Sequence, residues 1–234
     1  MANSYFQFKQ FRLEQALAGM KFGTDSAVLG AWANHPDPSA ILDIGTGTGI
    51  LALMLAQRFT CPIHAVEIEP EASAQATSNF KNSPWATRLN VYQQDIKTFE
   101  GENKYDLIVS NPPYFHRSLA SPDQKRQLAR HSDSLSTQTL LKKADSLLGE
   151  QGLFYVVVPS LSANEYETLT AKLNLFLQEK LAIVTVEGKN PARYVLKFGR
   201  KKTPHQQKVL IVKNKTGDYT VAYAQLLKDY FLIF

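Results

Sequence analysis

Residues 109–118 read V-S-N-P-P-Y-F-H-R-S. An asparagine closes an apolar run, two prolines follow, and a tyrosine comes next. Proline fixes φ and carries no backbone N–H, so Pro112-Pro113 ends the preceding strand and stiffens the chain that leaves it. The stop presents three parts in fixed order: the Asn111 side-chain amide, a carbonyl held by its ring, and the ring of Tyr114. Alone, such a run also reads as a plain strand-ending turn. A second group stands upstream, Asp43-Ile44-Gly45-Thr46-Gly47-Thr48-Gly49, between an apolar run and a helical pattern. Its glycines let the backbone turn sharply beside a ligand, and the helix that follows offers free N–H groups. Glu67 follows Gly45 by 22 residues, at the end of the next apolar run. An acid there suits the paired hydroxyls of a ribose, so the front half is built for an adenosine-containing cofactor at the strand C-termini.

The glycine spacing narrows the cofactor. Dinucleotide folds prefer G-x-G-x-x-G; here the run is G-x-G-x-G, with Asp43 two residues before the first glycine. It resembles motif I of class I S-adenosylmethionine-dependent methyltransferases. The resemblance implies S-adenosylmethionine as cofactor, S-adenosylhomocysteine as product and no metal. It implies that Asp43 helps hold the methionine end, that Gly45, Thr46, Gly47 and Gly49 pass beside the cofactor, and that Glu67, with Ile68 next to it, takes the ribose. Asp95, in Gln93-Gln94-Asp95-Ile96, matches the acid on the adenine amino group, with Ile96 flanking the ring. A dinucleotide oxidoreductase or a non-catalytic nucleotide-binding module would explain Gly45–Gly49 but would leave Asn111–Tyr114 unused.

Asn111-Pro112-Pro113-Tyr114 resembles motif IV of amino-group methyltransferases, and the chemistry has a specific need. An amino group conjugated to a ring or carbonyl has a delocalised lone pair and is a poor nucleophile. Two acceptors fixed beside its N–H bonds, the Asn111 side-chain oxygen and the Pro112 carbonyl, favour a pyramidal nitrogen whose lone pair faces the methyl. The prolines hold that carbonyl before the substrate arrives. Tyr114 can stack on the planar target, worth about 1–3 kcal/mol. In-line positioning supplies much of the rate, with no dedicated base. Similar sites act on adenine N6, on guanine N2 and on the side-chain amide of release-factor glutamine, and the motif leaves these open.

The elements that must carry these residues alternate. Ile41–Ile44, Ile63–Ile68, Leu89–Tyr92 and Leu107–Ser110 read as strands, with helical spacing over Ile50–Arg58 and Glu71–Phe80. Ser136–Leu148 reads as a helix with Gly149 as its C-cap, then Phe154–Val158 as a central strand, Asn164–Phe176 as a helix and Ile183–Val186 as a strand. Tyr194–Phe198 and Val209–Val212 read as a late antiparallel pair. Before the first strand, Thr24 or Asp25 is placed to cap a short helix over Ala27–Ala33. The alternation implies an α/β fold. The resemblance makes it a Rossmann-like class I methyltransferase fold, a mostly parallel seven-stranded sheet with helices on both faces. Residues 1–39 are expected as an N-terminal segment whose short helix borders the cofactor site, and residues 40–234 as the methyltransferase domain.

Charge and composition bear on the partner. The 234 residues carry a net +5, split as −3 over residues 1–110 and +8 over 111–234. The excess begins at the Asn-Pro-Pro-Tyr run, and such asymmetry points to a polyanion or to a solvated lysine-rich surface. One cysteine, Cys61, cannot form an internal disulfide, which fits a reducing compartment. With no secretory leader pattern and no apolar run of membrane-spanning length, a cytoplasmic protein is expected. Phe8-Lys9-Gln10-Phe11, Met20-Lys21-Phe22-Gly23-Thr24-Asp25-Ser26 and Leu29-Gly30-Ala31-Trp32 resemble the opening of the bacterial tRNA1(Val) (adenine(37)-N6)-methyltransferase family. The resemblance runs on through Ala129-Arg130-His131 to Leu227-Lys228-Asp229-Tyr230-Phe231-Leu232. It implies tRNA as partner, a monomer or weak homodimer, and Thr24 bordering the methionine end of the cofactor. Phe8 and Phe11 are expected in the core, and His131 as a structural histidine. Arg117, Lys125, Arg126 and Arg130, with Arg200, Lys201 and Lys202, are the expected grips on RNA phosphates. A release-factor glutamine methyltransferase and an rRNA guanine-N2 or adenine-N6 methyltransferase remain the alternatives.

Overall fold

The computed structural model describes residues 4–16, 22–113 and 135–234. The chain opens with the hairpin β1 (Tyr5–Gln7) and β2 (Arg12–Glu14), then α1 (Thr24–Trp32), β3 (Ile41–Ile44), α2 (Ile50–Ala56), β4 (Ile63–Glu67) and α3 (Pro70–Lys81). There follow β5 (Leu89–Gln93), β6 (Tyr105–Ser110), α4 (Thr137–Leu147), β7 (Leu148–Pro159) and α5 (Ala163–Thr170). The last elements are β8 (Phe176–Val186), β9 (Arg193–Gly199), β10 (Gln206–Lys213) and α6 (Val221–Leu227).

Every residue of β3 is buried, as a central parallel strand covered on both faces must be. Ile41 faces one hydrophobic layer with α1, α2 and α6; Leu42 and Ile44 face the other with α4 and α5. The described residues hold one eight-stranded sheet in the order β10-β8-β9-β7-β6-β3-β4-β5. All its neighbours are parallel except β9, which is antiparallel to both β7 and β8. From β3 the chain steps outward to β4 and β5, then returns to lay β6 on the other side of β3. The order therefore reverses between β3 and β6, and ligands of open α/β sheets bind at that crevice.

Several boundaries differ from the sequence reading. The sheet has eight strands where seven were expected, and β10, which contains the expected strand Val209–Val212, pairs with the free edge of β8. Tyr194–Phe198 and Val209–Val212 are not partners, because β7 and β8 occupy both edges of β9. Gly149 is not a C-cap: α4 ends at Leu147 and β7 begins at once. The helix expected to reach Phe176 stops at Thr170. Phe176 is drawn into pairing with Gly199, a long-range contact that no local propensity reports. α1 begins at Thr24 itself, with Gly23 as N-cap and no side-chain cap. Asp25 instead faces Arg193 Nε at 3.2 Å. Burial raises its pKa while Arg193 pulls it back.

The two ends of the chain meet. Phe8 bridges to Phe231, stacks on Phe11 with centroids 4.3 Å apart, and is fully buried. The Lys9 amine donates to the carbonyls of Lys228, at 2.5 Å, and Phe234, at 2.7 Å. Among the described residues no helix is long and apolar enough to cross a membrane.

Candidate active site

Parallel register brings the motifs together. Ile44 lies opposite Ser110 on one side and Val66 on the other, and Glu67 lies opposite Gln93. Gly45 and Asn111 thus leave the sheet side by side, on strands about 4.8 Å apart. Glu67 and the chain leading to Asp95 leave it along the same carboxyl edge. The Ser110 hydroxyl donates to the Ile44 carbonyl at 2.9 Å, pinning the two strand ends at the switch point.

The glycine loop takes its shape from positive φ angles at Gly45 (71°), Gly47 (57°) and Gly49 (87°), a region that side chains resist. A Cβ at Gly45 or Gly47 would meet nothing within 4 Å, whereas one at Gly49 would lie 2.4 Å from Phe80 Cε1. The first two glycines border open space and the third packs on α3. Glu67 fixes the loop from below. One carboxylate oxygen accepts the Gly47 N–H at 2.8 Å and the other accepts the Glu69 N–H at 3.0 Å. Asn79 fixes it from behind: its amide pairs with the Glu14 N–H and C=O at 3.0 and 2.9 Å and also donates to the Thr48 carbonyl at 2.8 Å.

Asp43 is fully buried and accepts the Thr46 hydroxyl at 2.5 Å. Burial pushes its pKa up to about 7. The Thr46 hydroxyl and the Ala52 N–H pull it down, and the Glu67 carboxylate adds to the rise. Its Oδ1 is buried without a hydrogen-bond partner. Asp95 accepts the Lys97 N–H at 2.9 Å and faces Lys97 Nζ at 3.7 Å. Ile96 is 6% exposed and packs into the core, so Ile68, 54% exposed just past β4, is the apolar surface at this edge.

Asn111 is half-buried beyond β6 and Pro112 is buried. The Asn111 amide NH2 donates to the hydroxyl of Ser26 on α1 at 2.8 Å. Thr24, two residues earlier, lies beside Tyr223 of α6.

The arrangement fits an adenosine cofactor with a charged amino-acid end. Open space lies over two glycines, a carboxylate stands at the end of β4, and an orphaned carboxylate oxygen lies beneath the loop. Asn111 stands at the end of the neighbouring strand. Comparison with known proteins gives the family. Residues 21–190 match the family model described as "Methyltransferase small domain". A protein of Bacteroides thetaiotaomicron named tRNA1(Val) (adenine(37)-N6)-methyltransferase is 41% identical, covering 99% of each chain. One of the same name from Photorhabdus laumondii is 41% identical, covering 98% of this chain and 96% of its own.

This chain belongs to the tRNA1(Val) (adenine(37)-N6)-methyltransferase family.

Solved structures share the family's fold. TYW2 of P. horikoshii in complex with MeSAdo matches with a TM-score of 0.61 at 18% identity, covering 84% of this chain and 71% of its own. The ribosomal protein L11 methylase of Lactobacillus delbrueckii matches at 0.57 and 21%, covering 81% and 84%. Against this family frame, the sequence-expected cofactor residues Thr24, Asp43, Gly45, Thr46, Gly47, Gly49, Glu67, Ile68 and Asp95 do lie on elements that converge at the carboxyl edge. Tyr114, Arg117, Lys125, Arg126, Arg130 and His131 lie outside the described residues.

The C-terminal basic cluster is not at this edge. Because β9 runs antiparallel, Gly199 lies opposite Leu153 at the start of the core of β7. Residues 200–202 therefore leave the sheet at the amino edge, about 20 Å from Asn111 at 3.3 Å per residue. Arg200 is moreover bound to the protein itself. Its guanidinium pairs with the Asp145 carboxylate and donates to the carbonyls of Asp145 (2.7 Å), Leu148 (3.1 Å) and Asn174 (2.9 Å). It caps the C-terminus of α4, where a cation suits the exposed carbonyls, and is withdrawn as a phosphate ligand. Lys201 and Lys202 are exposed at that amino edge.

Two side chains that contact site residues have no counterpart in the sequence reading: Ser26, which accepts the Asn111 NH2, and Asn79, which holds the glycine loop. A polar residue between Ala76 and Phe80 on a helix's buried face was the one available signal for Asn79. Ser26 carried none, because its partner lies 85 residues away.

Proposed function

We propose that this chain transfers the methyl group of S-adenosylmethionine to N6 of adenosine 37 in tRNA1(Val). The observation that carries the reading is the placement of Asn111 and Pro112 beside Gly45 at the switch point of the sheet. Gly45–Gly49, Glu67 and Asp95 hold the adenosine part of the cofactor, and Asp43 supports the loop beneath its amino-acid end. Both Glu67 oxygens already accept backbone N–H groups, so ribose hydroxyls take the remaining lone pair on each. When bound, S-adenosylmethionine supplies a methyl on a positively charged sulfur, open to in-line displacement.

Asn111 Oδ1 and the Pro112 carbonyl accept the two hydrogens of the target amine and turn its lone pair toward that methyl. Both acceptors are fixed before the base arrives, so they spend no reorganisation in the transition state. The methylated nitrogen releases its extra proton to water. Tyr114 stacks on the flipped adenine. Leaving the stack costs a few kcal/mol, less in a loop than in a duplex. Arg117, Lys125, Arg126 and Arg130, close in sequence to Tyr114, neutralise flanking phosphates. Lys201 and Lys202 reach only parts of the tRNA remote from the target nucleotide.

The test is methyl incorporation from labelled S-adenosylmethionine into unmodified tRNA1(Val) transcript, with release factor and ribosomal RNA alongside. N6-methyladenosine at position 37 is the expected product. Label in N2-methylguanosine or in release-factor glutamine would overturn the substrate.

A further inference from the structure

We infer that the N-terminal hairpin β1–β2 is part of the cofactor site, with Asn79 of α3 as the positioning residue that couples it to the glycine loop. The inference rests on reading Gly45–Gly49 as the bed of S-adenosylmethionine. Asn79 is 2% exposed, and its amide serves two distant segments at once. Nδ2 donates to the Thr48 carbonyl at 2.8 Å and to the Glu14 carbonyl at 2.9 Å, and Oδ1 accepts the Glu14 N–H at 3.0 Å. A carbonyl can only accept and a backbone N–H can only donate, so these partners admit one orientation of the amide. Toward Glu14 the side chain pairs as a neighbouring strand would. The inner edge of β2 is already taken by β1, where Gln15 N–H donates to the Ser4 carbonyl at 2.7 Å. Asn79 thus satisfies backbone groups on the outer edge, which a two-stranded hairpin otherwise leaves open.

On the loop side the same amide fixes one peptide unit. Its carbonyl, that of Thr48, is held by Asn79, and its N–H, that of Gly49, donates to the Thr46 carbonyl at 2.9 Å. With both ends held, the unit resists a flip, and the turn from the open glycines into α2 keeps its shape. Phe80, the next residue of α3, closes on Gly49. The hairpin is anchored on its other side, since Leu13 is fully buried and Phe8 bridges to Phe231. Loop shape and hairpin position therefore meet in one side chain. Where any of the three bonds is lost, the loop spends part of its time in other shapes. The cofactor then binds only the competent fraction, and its apparent affinity falls in proportion. Linkage makes the coupling reciprocal: bound cofactor must hold β2 to Asn79 more firmly than the empty protein does.

The experiment measures S-adenosylmethionine binding by calorimetry for wild type, Asn79→Leu and Glu14→Pro, and follows hydrogen exchange at the Glu14 amide of wild type with and without the cofactor. Asn79→Leu keeps the volume and removes all three bonds. Glu14→Pro removes one N–H from the outer edge of β2, where a strand tolerates proline, and changes nothing in the loop. Asn79→Leu is expected to raise the cofactor Kd about tenfold and Glu14→Pro about threefold, the scale of lost hydrogen bonds. KM for S-adenosylmethionine should rise by more than kcat falls, as befits a residue that prepares the bed and does not touch the methyl. Exchange at the Glu14 amide should slow about fivefold or more at saturating cofactor. Where Asn79→Leu does not fold, Glu14→Pro and the wild-type exchange decide. Wild-type Kd in Glu14→Pro would overturn the inference, even with Asn79→Leu impaired, because Asn79 would then support the loop without the hairpin. Exchange at Glu14 indifferent to cofactor would overturn it too. No binding of S-adenosylmethionine by wild type would instead remove the cofactor reading, and this inference with it.

Discussion

Above neutral pH the cofactor-free protein holds a carboxylate in a place where water does not reach. Asp43 is fully buried, and its pKa moves from 3.8 to about 7 chiefly through lost hydration. At about 1.4 kcal/mol per tenfold in proton affinity, ionising it in the folded chain costs about 4 kcal/mol more than in the unfolded one. The sign follows from which state keeps the proton. Between pH 3.8 and about 7 the folded chain holds a proton that the unfolded chain has released. Stability therefore falls as pH rises through that window and levels off above it. The side-chain amide introduced by Asp43→Asn would still accept the Thr46 hydroxyl, but it does not titrate. In Asp43→Asn, stability relative to wild type should climb between about pH 4 and pH 7 and be flat from about pH 8. For a chain of this size about 4 kcal/mol is worth roughly 10 °C in Tm. Any fixed cost of burying the new NH2 shifts the whole curve and leaves its pH dependence unchanged. The assay is thermal unfolding of both proteins without cofactor from pH 4.5 to 9. Two parallel curves would mean that Asp43 titrates as an ordinary carboxyl, and the burial argument would be wrong.

Gly49→Ala combines a φ of 87° with a methyl 2.4 Å from Phe80. It should cost about 2 kcal/mol or more in stability by urea titration, and a loss under about 0.5 would show that the loop and α3 yield easily. Arg200→Ala uncaps α4 and should cost about 2 kcal/mol, seen as a Tm lower by about 4–8 °C. The slope of log affinity for tRNA against log salt should not change, and a flattened slope would return Arg200 to the RNA. Lys201→Ala with Lys202→Ala should leave kcat at saturating tRNA as in wild type. A large fall in kcat would contradict the placement of this cluster at the amino edge.

The family motifs were readable because each is local. Gly45–Gly49 must be glycines wherever the chain takes positive φ beside a ligand, and Asn111-Pro112-Pro113 stops a strand by its own sterics. The order of strands and helices followed from apolar runs of strand length alternating with helical spacing, so the carboxyl edge of the sheet was legible before any coordinate. Phe8 and Phe11 went to the core as their chemistry requires.

What sequence missed is long-range. Thr170 ends its helix early because Phe176 is claimed by Gly199, a partner that a propensity window does not contain. β10 lies beside β8 and not β9, since both edges of β9 are already taken. The antiparallel course of β9 puts Lys201 and Lys202 at the opposite edge of the sheet from Asn111, although charge counting placed them with the substrate. Arg200 reads as a phosphate ligand by composition and as a helix cap by contact. Ser26 meets Asn111 across 85 residues of chain, a contact that only the tertiary fold brings about. Residue type and short spacing establish which chemistry the chain can perform. Which side chains stand within hydrogen-bond reach of it depends on how strands from distant parts of the chain are ordered and directed, and backbone pairing across the sheet settles that.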